Sequence, residues 1–227
     1  MSMQCVILYK YAPIKYVAET LNNNRIYLNG GRNFNDPFEI TVADNHNKEI
    51  RRLEGLHILS LTNSYRKKLM WSHYTESHQG VCLTVKVPRN LVYPICYSSR
   101  RVYEDSNVAE IIASSQRKLK NYHTKNNISK DYSSLSRDKK IAYIKDKKWM
   151  YENEYRIVFD RDDERYLISE DNNWFMPVKV TNVYLGVNFD KNQPEIKDEI
   201  MNACKRNKIK VAQMILSDSD YSINVKR

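Results

Sequence analysis

Residues 151–159 read YENEYRIVF, with Glu152, Glu154 and Arg156 at every second position ahead of an apolar run. Alternation of this kind marks a strand, whose successive side chains point to opposite faces. The spacing predicts Glu152, Glu154 and Arg156 on one face and Tyr151, Asn153, Tyr155 and Ile157 on the other. Two carboxylates and a guanidinium on one face have two readings. One is a half-exposed strand whose charges pair with neighbouring strands. The other is the floor of an active site, where each Glu raises the cost of ionising the other and Arg156 lowers it.

Outward from this stretch, QCVILYKYA, RIYL, LHILSLTNS, VCLTVKV, LVYPICY, MPVKVTNVYLGV and IKVAQMILS read as strands. Helical spacing appears in IKYVAETLNNN, in Val108–Leu119 with Asp105 or Ser106 as a cap, in LSRDKKIAYIKDKKW and in QPEIKDEIMNACKRNK. NYHTKNNISKDYSS reads as a polar linker and DRDDER as a charged hairpin loop. Together these predict one α+β domain over residues 1–227, built on a mainly antiparallel sheet. A basic helical insertion interrupts it at residues 105–148.

Lys and Arg number 37 against 27 Asp and Glu, a net charge of +10. Eleven of those cations, against three Asp, fall between Arg117 and Lys148. A local basic segment predicts a polyanion partner such as nucleic acid, held by Lys139, Lys140, Lys147 and Lys148. The plainer reading is a solvated helical face. The four cysteines form no CxxC pair and no Cys/His cluster, so they signal neither zinc nor a disulfide framework. Cys5, Cys82 and Cys204 sit among apolar residues and read as buried hydrophobes, which fits a reducing, cytoplasmic setting. No apolar run approaches a signal-peptide core or a membrane span, so no membrane partner is expected. With five glycines in the chain, glycine-built phosphate loops are excluded.

Two further clusters could carry chemistry. NFNDPFE, Asn33 to Glu39, holds Asp36-Pro37, which forces a turn, with Asn35 beside it. MWSHYTESHQG, Met70 to Gly80, packs Trp71, His73, Tyr74, Glu76 and His78 into one short piece, material for base stacking and proton transfer. Its plainer reading is a helix whose Trp71 and Tyr74 cap the core. Asn35, Trp71, His73, Tyr74, Glu152 and Glu154 are expected to meet in one cleft.

Leu8–Tyr11, Asn35–Glu39, Met70–Tyr74 and Trp149–Arg156, taken in order, resemble a widespread bacterial family of unknown function. Its members carry Leu-Tyr-Lys/Arg-Tyr, Asn-Asp-Pro-Phe-Glu, Met-Trp-x-His-Tyr and Trp-x-x-Glu-x-Glu-x-Arg, and the likeness runs from about residue 7 to about residue 221. The order of elements also resembles the ADP-ribosyltransferase fold. That second resemblance implies NAD as cofactor, contacted by Tyr9, Lys10 and Tyr11, by Ser60 and Thr62, and by Asn35, Trp71, His73 and Tyr74. It implies Glu154 as the carboxylate that stabilises positive charge on the ribose. Glu152 would act on the acceptor, and Arg156 would hold Glu154 ionised. Lys10 departs from the His or Arg usual there. The function implied is a bacterial toxin or phage-defence effector, with nucleic acid as acceptor and an antitoxin or immunity protein as partner. Two alternatives are a non-catalytic nucleic-acid-binding module and a metal-dependent nuclease or hydrolase using Asp36, Glu39, Glu152 and Glu154.

Overall fold

A computed structural model describes the chain except residues 1–3, 31–33, 45–48, 104–107, 120–129, 161–162, 164–165 and 227. Its first strands are Cys5–Ala12 (β1), Arg25–Tyr27 (β2), Thr41–Ala43 (β3), Ile50–Arg52 (β4), His57–Thr62 (β5), Val81–Pro88 (β6), Tyr93–Pro94 (β7) and Cys96–Ser98 (β8). Ile144–Asp146 (β9), Glu154–Phe159 (β10), Ile168–Glu170 (β11), Asn173–Pro177 (β12), Lys179–Leu185 (β13), Lys210–Leu216 (β14) and Ile223–Val225 (β15) follow. The helices are Val17–Asn23 (α1), Lys68–Tyr74 (α2), Val108–Leu119 (α3), Arg137–Ala142 (α4) and Pro194–Arg206 (α5). The class is α+β and most strand pairs are antiparallel.

The chain divides into two compact units. The first comprises Met1–Tyr27, Leu61–Arg89 and Phe175–Arg227, and the second Leu28–Ser60 and Asn90–Trp174. The segment expected as an insertion, 105–148, belongs to the second unit. The expected cap at Asp105 or Ser106, much of the polar linker and most of the DRDDER loop lie outside the described residues.

In the first unit the strand order is β15-β14-β13-β6-β1. β1 and β6 pair antiparallel over their whole length, from Cys5↔Pro88 to Ala12↔Val81. β1 forms because its apolar residues alternate: Val6 and Leu8 are buried, Cys5 and Ile7 exposed. That pleat also corrects the expectation for Cys5, which is exposed while Cys82, Cys96 and Cys204 are buried. β13 and β14 are parallel, which requires a crossover, and α5 supplies it. α5 starts with Pro194, whose missing N–H costs nothing in a first turn, and buries Ile200, Ala203 and Cys204. It packs against α1, where Asn207 donates to the Leu21 carbonyl at 2.9 Å. After α2 the chain makes a left-handed turn with positive φ at Glu76, Ser77 and His78. Gly186 lets that turn approach: a Cβ there would lie 2.1 Å from the His78 carbonyl oxygen.

In the second unit β10 lies between β5 and β7, and all six of its residues are buried. One core joins Ile40, Val42, Ile58, Ile111, Tyr143 and Val158. The predicted helix LSRDKKIAYIKDKKW is instead three elements. Ser136 caps α4 by accepting from the Lys139 N–H at 3.3 Å. The chain then runs into β9, parallel to β8, and on into a 3₁₀ turn over Lys147–Glu152. Ile141 through Lys145 are buried consecutively, which an amphipathic helix with one apolar face cannot achieve.

Candidate functional site

Three local devices in the second unit deliver charged side chains to one point. The first is the turn in NDPFE. Asp36 Oδ1 accepts from the Phe38 N–H at 2.9 Å, and the Glu39 N–H donates to the Asp36 carbonyl at 3.1 Å. Arg52 donates to the carbonyls of Glu39 at 3.1 Å and Pro37 at 3.2 Å. Ile40 sits at φ 56, a conformation rare for a β-branched side chain. The result is that Phe38 stays exposed while Glu39 is buried. The second device is β9, which carries Lys145 inward. The third is Asn153, in the left-handed region at φ 42, between the end of the 3₁₀ turn at Glu152 and the start of β10 at Glu154.

Glu152 is therefore not on the strand, and the predicted run of three alternating charges on one strand face is corrected. Asn153 breaks the alternation, yet both carboxylates still reach Lys145. Its Nζ lies 2.6 Å from Glu152 Oε2, 2.9 Å from Glu154 Oε2 and 3.6 Å from Glu39 Oε2. Arg156 closes the cluster from β10. Its Nε and Nη2 donate to Glu154 Oε1 and Oε2 at 2.6 and 3.1 Å, a two-pronged pair. It also pairs with Glu39 Oε1 and donates to the Ala142 carbonyl at 2.6 Å. None of the five residues is more than 5% exposed.

Burial raises the Glu154 pKa; Lys145 opposes that shift and Glu152 adds to it, and a hydrogen bond from Ser60 also favours the ionised form. Burial pulls the Arg156 guanidinium below its ordinary range. The cost of taking these charges out of water is repaid only by their mutual geometry, because an unpartnered charge here would cost several kcal/mol. Half-buried rings surround the cluster. Phe34 lies 5.3 Å from the Arg156 guanidinium, and Trp149 lies 5.1 Å from Lys145 Nζ. Tyr151 sits beside Trp149 at 6.1 Å, and the Tyr97 hydroxyl accepts from the Glu154 N–H at 2.9 Å.

The other expected site residues group differently. Asn35 is exposed on the NDPFE loop of the second unit. Trp71, His73 and Tyr74 belong to the first unit, as do Tyr9, Lys10, Tyr11 and Thr62. Trp71 has no exposed surface: its Nε1–H donates to the Tyr65 carbonyl at 2.8 Å and Tyr11 meets its ring edge-on at 5.2 Å. The indole is thus a core ring. Tyr11 is also buried, donating to the Ser64 carbonyl and accepting from the Lys67 N–H, each at 3.1 Å. His73 is exposed.

The basic segment is not one solvated face. Lys145 is the hub of the buried cluster. Lys139 lies 3.2 Å from Asp160 and 2.5 Å from Asp163. Lys140 donates to the Ser133 carbonyl at 3.1 Å, while Lys147 and Lys148 are exposed. Lys120 and Lys125 lie outside the described residues. Among the described residues no three His, Cys, Asp or Glu side chains are arranged to hold a metal ion. An ammonium, not an open position, stands between Glu39, Glu152 and Glu154. Among the described residues no helix is long and apolar enough to cross a membrane.

No curated protein and no solved structure matches the chain. Residues 70–157, which include the Met70–Tyr74 and Trp149–Arg156 motifs together with Lys145, match the model of a protein family of unknown function, DUF2971.

Proposed function

We propose that the Glu39–Lys145–Glu152–Glu154–Arg156 cluster is the floor of an active site that cleaves a nucleotide glycosidic bond, as ADP-ribosyltransferases do with NAD. One observation carries the reading: five charged side chains are buried together under a rim of half-buried aromatic rings. A hydrophobic cluster of the same volume would serve stability as well or better. Perturbed, buried ionisable groups concentrate at functional sites. Cleaving the nicotinamide–ribose bond develops positive charge on the sugar, which a pre-positioned carboxylate stabilises. Trp149, Phe34 and Tyr97 supply ring surfaces of the kind that stack on nicotinamide or adenine.

The roles follow from the contacts. Glu154 has both oxygens tied to cations. A carboxylate so compensated is a positioning residue. We assign Glu152, placed at the turn before the strand, as the carboxylate that faces the sugar, which exchanges the two roles implied by the resemblance. Lys145 holds Glu152 in place through its 2.6 Å contact, and Arg156 fixes Glu154 and Glu39. The reading as a toxin or defence effector, and the acceptor, rest on the resemblance alone.

The test is nicotinamide release from NAD, followed by chromatography, with wild-type protein alone and with RNA, DNA or protein acceptors. The reading requires release above the uncatalysed rate. If NAD is neither bound nor consumed under these conditions, the cluster is a structural pin and the reading fails.

A further inference from the structure

We propose that one face of the sheet in the first unit is a binding platform for single-stranded nucleic acid, separate from the glycosidic site and independent of it. The four central strands β1, β6, β13 and β14 contain no Asp or Glu and carry four lysines, at 10, 86, 179 and 210. Strand register puts three of these on one face. Lys86 stands directly opposite Lys179. Tyr9 stands opposite Thr84, Thr84 opposite Asn182, and Asn182 opposite Lys210. Tyr184, two residues on from Asn182, shares that face. Tyr65 stacks on Tyr184 with ring centres 4.0 Å apart and planes 4° from parallel, and lies 5.5 Å from Tyr9.

Two features are unexplained by stability. Like charges directly opposite in a sheet repel, yet Lys86 and Lys179 are paired this way. Both are exposed, as is Lys210, and among the described residues none of the three makes an ion pair. Tyr9 and Tyr184 on the strand face, with Tyr65 of the loop after β5 stacked against them, are half-exposed rather than in the core and present ring surface and hydroxyls together. Cations that track a backbone, beside aromatic rings on which bases stack, are what sequence-tolerant single-strand binding needs. The phosphate backbone is the charge complement that relieves the Lys86–Lys179 repulsion. A duplex, whose bases are stacked internally, would use the lysines but leave the tyrosines idle.

The experiment measures anisotropy of a labelled oligouridylate and a labelled oligothymidylate, against a labelled duplex, over a range of salt. Wild type is expected to prefer the single strands. Lys86→Glu/Lys179→Glu/Lys210→Glu should lower the log–log salt slope by about 2, at about 0.7 per lost phosphate contact. Tyr9→Ala should weaken binding by about fivefold to a hundredfold. A second readout separates binding from folding: Lys86→Glu creates an attractive pair with Lys179 and should raise the melting temperature by up to about 4 °C while weakening binding. No single-strand binding, equal affinity for duplex, or loss of binding only in Lys147→Glu/Lys148→Glu would each overturn the proposal.

Discussion

Replacing Lys145 by Met tests whether the cluster is held by its hub. Met has similar volume and no charge, so packing is kept while Glu39, Glu152 and Glu154 lose their shared ammonium. Removing one partner of a buried ion pair costs about 3–5 kcal/mol, because the remaining charges stay buried. At about 2–4 °C per kcal/mol for a chain of this size, the melting temperature should fall by roughly 6–20 °C. The pH dependence gives a sharper signature. Burial raises the Glu154 pKa from 4.5, with Lys145 opposing the shift, so without Lys145 the pKa rises further. A carboxyl with a raised folded pKa binds its proton more tightly folded than unfolded. Its contribution to stability therefore falls as pH rises through the window above 4.5. The penalty of Lys145→Met should be largest near neutral pH and shrink as pH is lowered towards that value. Urea unfolding of both proteins across this range is the assay. A pH-independent penalty below about 1 kcal/mol, the size of a surface pair, would refute a buried hub.

Glu154→Gln should cost both stability and nicotinamide release, since it loosens Arg156 and Lys145 together; unfolding midpoints and release rates on one preparation check this. Asn153→Val should cost about 1–2 kcal/mol by denaturant unfolding, because Val resists the left-handed conformation at φ 42, whereas Asn153→Gly should cost much less. Gly186→Ala should destabilise the first unit by about 1–3 kcal/mol or more, because its Cβ would meet the His78 carbonyl at 2.1 Å.

The sequence made the helices and strands with strong periodicity legible: β1, β6, α3 and α5 lie where apolar spacing puts them. Lys145 was not legible, because it counts as one more cation in a basic run. The signal was the apolar stretch Ile141–Ile144 just before it, which cannot end on a solvated face if all four residues are buried. Glu152 and Glu154 were found as a pair, but for the wrong geometric reason. Asn153, a residue type that tolerates positive φ, is the available clue that the strand starts only at Glu154, three residues after Tyr151. The turn chemistry of Asp36-Pro37 was readable, but its consequence, Glu39 aimed inward, depends on Arg52 and on the strained Ile40 and so on tertiary contacts. Each of the two units is assembled from separated segments, so no linker composition marks a boundary between them.

The most direct test is Glu152→Gln, measured for nicotinamide release from NAD and for unfolding midpoint on the same sample. Gln keeps the shape and can still accept from Lys145, but it cannot stabilise a developing cation on the sugar. The prediction is a loss of release on the order of a hundredfold or more, far beyond the fall in folded fraction that weakening the buried Lys145 contact brings. Release equal to wild type, or lowered only as far as the folded fraction is lowered, would show that Glu152 supports the fold and not the chemistry.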